Sequence, residues 1–138
     1  MKFFALFVTA ALSFTLAQAT NVRYDQTYDN GSASLTTVSC SDGPQGLITK
    51  GFHKFGDLPP FPFIGGASAI AGWGSTNCGS CWTLTYKGKT ITVLAVDHTD
   101  DGFNLSQEAM DALTGGQAVS LGKVDATAKK VAASKCGL

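Results

Sequence analysis

Cys78–Ser106 reads CGSCWTLTYKGKTITVLAVDHTDDGFNLS, and this stretch decides how the rest of the chain is read. Cys81–Tyr86 alternates threonine with large side chains, and Lys87-Gly88 makes a two-residue turn. Lys89–Val96 returns as a β-branched run, so the pair is predicted to form a hairpin. Val93-Leu94-Ala95-Val96 is apolar on both faces, which places the second strand in the middle of a sheet. The stretch begins with two cysteines three positions apart. It ends in an acidic loop, Asp97-His98-Thr99-Asp100-Asp101-Gly102-Phe103-Asn104.

Outward from this centre, the chain begins with a charged Lys2, an apolar run Phe3–Leu16 and the small-x-small tripeptide Ala17-Gln18-Ala19. That pattern is a secretory signal peptide over residues 1–19, with the mature domain at 20–138. The apolar run is shorter than the ~20 residues a bilayer span needs, and Ser13, Thr15 and Gln18 interrupt it. A secreted location without a membrane span follows as an expectation. Ten Lys+Arg balance ten Asp+Glu over the full chain, so there is no basic surplus to draw in nucleic acid or acidic membranes. The chain is 14% charged and has sixteen glycines, as in a turn-rich, mainly β protein.

Cys40, Cys78, Cys81 and Cys136 all lie in the mature part, and an even count in a secreted chain reads as two disulfides. Three connectivities are open. A Cys78–Cys81 bridge would be a redox motif, but the flanking βαβ pattern such chemistry uses is missing. The strand starting at Cys81 favours splitting the pair, with Cys78 reaching back and Cys81 forward.

Further strands are expected at Val22–Asp25, Gly46–Phe52, Ala118–Lys123 and Val124–Val131. Leu58–Ile64 carries three of the four prolines and reads as an irregular crossing with inward aromatics. Ala67–Ala71 is expected to make one or two helical turns, and Trp73, between Gly72 and Gly74, to be buried, with sugar stacking as its alternative. The clearest helix is Asn104–Leu113, with Asn104 as N-cap, Gln107 at the third position, and Gly115-Gly116 as the stop. About six strands around one helix suggest a small closed or nearly closed barrel.

The acidic loop admits several chemistries. Glycoside hydrolysis needs two carboxyls at a defined separation. Asp97 could be one, with Asp100, Asp101, Asp25 or Asp42 as the second. Calcium would need alternating oxygen ligands that this run lacks. Sugar binding would use carboxylate and amide groups for hydroxyls and an aromatic for the apolar face. A solvated acidic loop ahead of a helix is the plain alternative. His53 and His98 suggest neither a triad nor zinc, and no metal or other cofactor is expected.

Several blocks together resemble one family. Tyr24-Asp25, Cys40-Ser41-Asp42-Gly43, Gly46-Leu47, Phe61-Pro62, Gly65-Gly66, Ala71-Gly72-Trp73, Cys78-Gly79-Ser80-Cys81-Trp82, Val96-Asp97 and Gly102-Phe103-Asn104 are similar to the cerato-platanins of filamentous fungi. The resemblance implies a six-stranded double-ψ β-barrel, similar to the first domain of expansins, with one clear α-helix and short helical turns. It implies the pairing Cys40–Cys78 and Cys81–Cys136. It also implies a secreted, non-catalytic protein of the fungal wall that binds chitin or N-acetylglucosamine oligomers, loosens chitin or cellulose, and elicits plant defence at the host surface. Asp97 matches the acid of endoglucanase-like barrels and would here accept sugar hydroxyls, beside Tyr24, Asp25, Gly102, Phe103 and Asn104. A monomer with self-assembly at interfaces is expected. A weak hydrolase using Asp97 and a surface-active wall protein are the alternatives.

Overall fold

The computed structural model describes residues 16–138. The expected leader therefore lies outside the described residues except for its last four. Six strands close into a barrel in the order β1-β5-β2-β4-β3-β6. They are β1 (Gln18–Tyr24), β2 (Ile64–Ala67), β3 (Cys81–Tyr86), β4 (Lys89–His98), β5 (Phe103–Leu105) and β6 (Lys123–Val131). This is the mainly β, six-stranded barrel expected, with one full helix, α1 (Gln107–Thr114), and a one-turn helix, α2 (Ala118–Leu121). The β1–β5 and β2–β4 pairs are parallel and the others antiparallel. No helix among the described residues is long and apolar enough to cross a membrane.

The β3–β4 hairpin forms as the sequence predicts, with Tyr86 opposite Lys89. Lys87 and Gly88 both take positive φ, 45° and 79°. That is the turn geometry whose twist matches the flanking strands. Val93–Val96 is buried, and β4 is paired on both sides, by β2 and β3. Leu84, Leu94, Ile64, Leu105 and Val22 fill the barrel, and Met110 and Leu113 of α1 close over it.

Some elements differ from expectation. Asn104 is not a helix cap but the middle of β5, because Phe103 and Leu105 on either side of it are buried and β1 and β2 pair along both edges. The cap is Ser106, whose hydroxyl accepts from the Ala109 N–H at 3.0 Å. Asp29, arriving from the N-terminal side, accepts from the N–H groups of Gln107 and Glu108 at 2.7 and 3.0 Å. Gly115 ends the helix in the left-handed conformation, as expected.

Ile64–Ala67 is a strand rather than the approach to a helix. Its glycines hide the strand from propensity, yet the barrel needs them: a Cβ on Gly65 would lie 2.3 Å from the Asn104 carbonyl oxygen. Gly46–Phe52 is a set of turns, not a strand, and Leu47 is simply a buried anchor. Ala118–Leu121 is a helical turn, leaving β6 to run alone from Lys123.

Residues 25–63 thus form a long arm without a barrel strand, built from turns and short 3-10 segments. Leu35, Leu47, Phe55 and Leu58 nonetheless bury its inner side. The bridge Cys40–Cys78 fastens the arm, and Cys81–Cys136 fastens the C-terminus to the start of β3. Under the loop-entropy account, either bridge stabilises by about 4 kcal/mol.

Candidate functional site

The register of the barrel brings Asp97 and Asn104 to either side of one residue. Gly66 of β2 pairs with Asp97 of β4 and with Asn104 of β5. Asn104 pairs in turn with Arg23 of β1, and Arg23 with Lys123 of β6. Directly paired residues share a face of the sheet. The sequence neighbours Val96, Phe103, Leu105, Val22 and Val124 are buried, so the side chains of Asp97, Asn104, Arg23 and Lys123 face outward, with Gly66 buried between the first two. Carboxylate, bare backbone, amide, guanidinium and ammonium therefore follow one another across five strands. Successive strands are about 4.8 Å apart. A register shift between Gly65 and Gly66 makes the row possible, because Gly65 pairs with Ala95 while Gly66 pairs with Asp97. The bulge skips Val96 and sets Asp97 in phase with Asn104.

Asp97 is heavily engaged. Its Oδ1 accepts from the Ser39 N–H at 2.9 Å, the Ser39 hydroxyl at 3.0 Å and the His98 N–H at 2.9 Å. Its Oδ2 accepts from the Tyr28 hydroxyl at 2.9 Å. A carboxylate has about four lone-pair positions, so on Oδ2 one acceptor position is left facing out. Burial pushes the Tyr28 hydroxyl far above the usual phenol range, and the Asp97 charge and hydrogen bond add to it. Tyr28 stays a neutral donor, held also by stacking on Phe55 at 6.1 Å between ring centroids.

The loop after Asp97 is tied down at both ends. His98 places Nδ1 2.6 Å from the Ile70 carbonyl oxygen and Nε2 3.0 Å from Asp100 Oδ1. Two acceptors at two ring nitrogens favour the imidazolium, and the Ile70 carbonyl, followed by Asp100, raises the His98 pKa. Asp101 accepts from the Asn21 side-chain amide and lies 3.9 Å from the Arg23 guanidinium. Gly102 has φ +59°, and a Cβ there would stand 2.0 Å from the Asn21 carbonyl oxygen, so no other residue fits the crossing.

The remaining expected site residues are spread around this row. Phe103 is 5% exposed and meets Trp82 edge-on at 5.4 Å between centroids. Both line a cleft of about 410 Å³ with Thr20, Ser68, Ala69 and Lys130. Tyr24 pairs with Leu105 and packs against the core, out of phase with Asn104. Asp25 is exposed, and its Oδ1 caps the following turn by accepting from the Thr27 N–H.

Trp73 is 64% exposed, not buried. Its Nε1–H donates to Asp42 Oδ1 at 2.7 Å. Tyr28 and Ser39 are not among the residues the sequence points to, and Gly66 enters there only within the Gly65-Gly66 block, not as a site residue. For Tyr28 a signal existed, since a buried phenol needs a hydrogen-bond partner and few acids are available. Ser39 and Gly66 carry no signal without the register.

The family model for cerato-platanin matches residues 20–138. The chain belongs to the cerato-platanin family. Cerato-platanin 3 from M. perniciosa superposes with a TM-score of 0.85 at 48% identity, covering 88% of this chain and all of that one (100%). The solution structure of the fungal elicitor cerato-platanin gives 0.76 at 36% identity, over 84% of this chain and 95% of that one. Among curated relatives, the heat-stable 19 kDa antigen of Coccidioides immitis is 45% identical over 134 residues, 97% of this chain and 92% of the antigen. As a cerato-platanin, the chain carries the split disulfide pairing that the resemblance implies.

Proposed function

We propose that this cerato-platanin is a secreted, non-catalytic carbohydrate-binding protein whose ligand lies along the row Asp97–Gly66–Asn104–Arg23–Lys123. Membership of the family supports a general carbohydrate-binding and elicitor role. The observation that carries the reading is the row itself: outward hydrogen-bonding groups of mixed type, repeated at strand spacing, with a side-chain-free position between Asp97 and Asn104. Neutral sugars offer hydroxyls that both donate and accept, and a carboxylate, an amide and two cations satisfy both kinds. The preferred ligands are chitin fragments and N-acetylglucosamine oligomers, with cellulose as a further candidate.

Binding is favoured over hydrolysis by the state of Asp97. A general acid or nucleophile must be free to exchange a proton or attack a carbon. Asp97 instead holds Ser39 and Tyr28 in place, and losing those contacts in each cycle would loosen the arm.

Titration of the isotope-labelled protein with an N-acetylglucosamine hexamer tests this. Amide shifts should concentrate at Gly66, Asn104, Arg23 and Lys123, and Asn104→Ala should weaken binding about threefold to tenfold. A titration that leaves those amides unmoved sinks the proposal.

A further inference from the structure

We propose that Trp73 and Asp42 form a stacking subsite for a pyranose ring, extending the polar row at the β4 end. This rests on the carbohydrate reading of the row. Trp73 is the one aromatic among the exposed large hydrophobic side chains of the described residues. An indole left in water is ordinarily free to change rotamer, and this one is not. Its N–H is pinned to Asp42 Oδ1 at 2.7 Å. Its six-membered ring lies against the bare backbone of Gly43, where a Cβ would come within 2.8 Å of Trp73 Cζ2.

The turn beneath is itself fixed. The Gly43 carbonyl accepts from the Gly46 N–H at 3.1 Å and from the Thr49 hydroxyl at 2.7 Å. The result is an aromatic plate locked from below and open above. A ring held this way loses little entropy when a ligand settles on it.

Asp42 adds the polar half of the site. Among the described residues, its hydrogen bonds come from Trp73 and, more distantly, Ser41, and both reach Oδ1. Oδ2 remains an open acceptor beside the indole. An aromatic plate for the C–H face of a sugar with a carboxylate oxygen for its hydroxyls is the combination that neutral pyranoses require.

Both residues follow loop positions that are anchored to the end of β4. Asp42 lies three residues beyond Ser39, which bonds Asp97, and Trp73 lies three beyond Ile70, which bonds His98. Three residues span at most about 11 Å, which keeps the plate within the reach of an oligosaccharide bound at Asp97.

The test follows the indole N–H signals of the two tryptophans, together with the Asn104 amide, during titration with an N-acetylglucosamine hexamer. Trp73 should shift along the same binding curve as Asn104, with Trp82 little changed. Trp73→Ala should weaken binding about twofold to tenfold, and Asp42→Asn, which keeps an acceptor for the indole, should weaken it less. If Asn104 responds and Trp73 does not, the plate is overturned and the row stands. If Trp73 alone responds, the row falls and the plate, as an extension of it, falls too. If neither moves, both are lost. Unchanged affinity in Trp73→Ala also overturns the plate. The wild-type indole signals give the answer even if a variant folds poorly.

Discussion

The barrel wall and the arm over residues 25–63 are equally dry inside but are held together by different forces. In the wall, every strand has two neighbours and backbone ladders run around the whole ring. In the arm, most backbone bonds close turns, as in Lys50 N–H to the Leu47 carbonyl, and a few join its two halves, as in Leu35 N–H to the His53 carbonyl and Phe55 N–H to that of Ala33. Its attachment to the wall depends on scattered long-range ties, among them Cys40–Cys78, the Cys40 N–H on the Val96 carbonyl, the Leu94 N–H on the Phe63 carbonyl, and Ser39 and Tyr28 on Asp97. Ladders make the wall cooperative, whereas scattered ties leave the arm able to open as a unit. A site at their junction is as firm as those ties.

The strongest way to break this contrast is to cut the bridges one at a time. Cys40→Ser with Cys78→Ser, and Cys81→Ser with Cys136→Ser, should each cost about 4 kcal/mol by the loop-entropy account, within the usual range of about 2–5. Hydrogen exchange should then separate them. Loss of the first should expose amides of the arm well before those of β3 and β4, and loss of the second should not. Equal exchange in both variants would mean that the arm and wall unfold as one body.

Asp97→Ala comes next. It leaves the Ser39 N–H and the Tyr28 hydroxyl without an acceptor, at a cost of about 2–3 kcal/mol measured by denaturant unfolding. A loss below half of that would show that water replaces the carboxylate freely. Tyr28→Phe removes only one bond and should cost about 1 kcal/mol, with the Phe55 stacking kept.

The smallest effect concerns pH. His98 is raised by the Ile70 carbonyl and Asp100, so its contribution is fully present below the ordinary histidine range. It is lost as pH rises through the folded value. Stability should fall slightly over that interval, and His98→Gln should flatten the change. The imidazole is solvent-accessible, so the amplitude should shrink in salt.

The same contrast explains what could be read from the sequence. The β3–β4 hairpin was legible because local alternation and a two-residue turn settle it without help from elsewhere. The cysteine pattern offered only three pairings, and the strand at Cys81 pointed to the right one. Six strands were expected and six are present, yet one of those expected is a set of turns and another the one-turn helix α2, and β2 and β5 were not foreseen. Ile64-Gly65-Gly66-Ala67 has poor strand propensity and is a strand because neighbouring backbones crowd it on both sides. Asn104 and Ser106 are both good caps in isolation, and pairing with β1 and β2 decides between them. Trp73 went astray for a related reason: neighbouring glycines signal close approach, and the approach is real, but it covers one side of the ring only.

Of the candidate site, Asp97 and Asn104 were legible and their arrangement was not, because it depends on a register shift between Gly65 and Gly66. Nothing local to those residues marks the shift. Tyr28 and Ser39 lie 69 and 58 residues from Asp97 along the chain. A partner at that distance can be named only once the arm has been laid against the wall.

Closure of the ring has a last consequence, for association. Open sheets end in unpaired N–H and C=O groups, which invite a strand from another chain. With β1 paired to β6 as well as to β5, this barrel confines that template to short stretches paired by a strand on one side only, such as Gln18–Asn21 of β1 and Lys89–Val93 of β4. With so little edge on offer, copies that meet have mainly side chains to meet through, as at the Trp73 plate or at Val119 and Leu121 of α2. Contacts of that kind can form and part while each ring of strands stays intact.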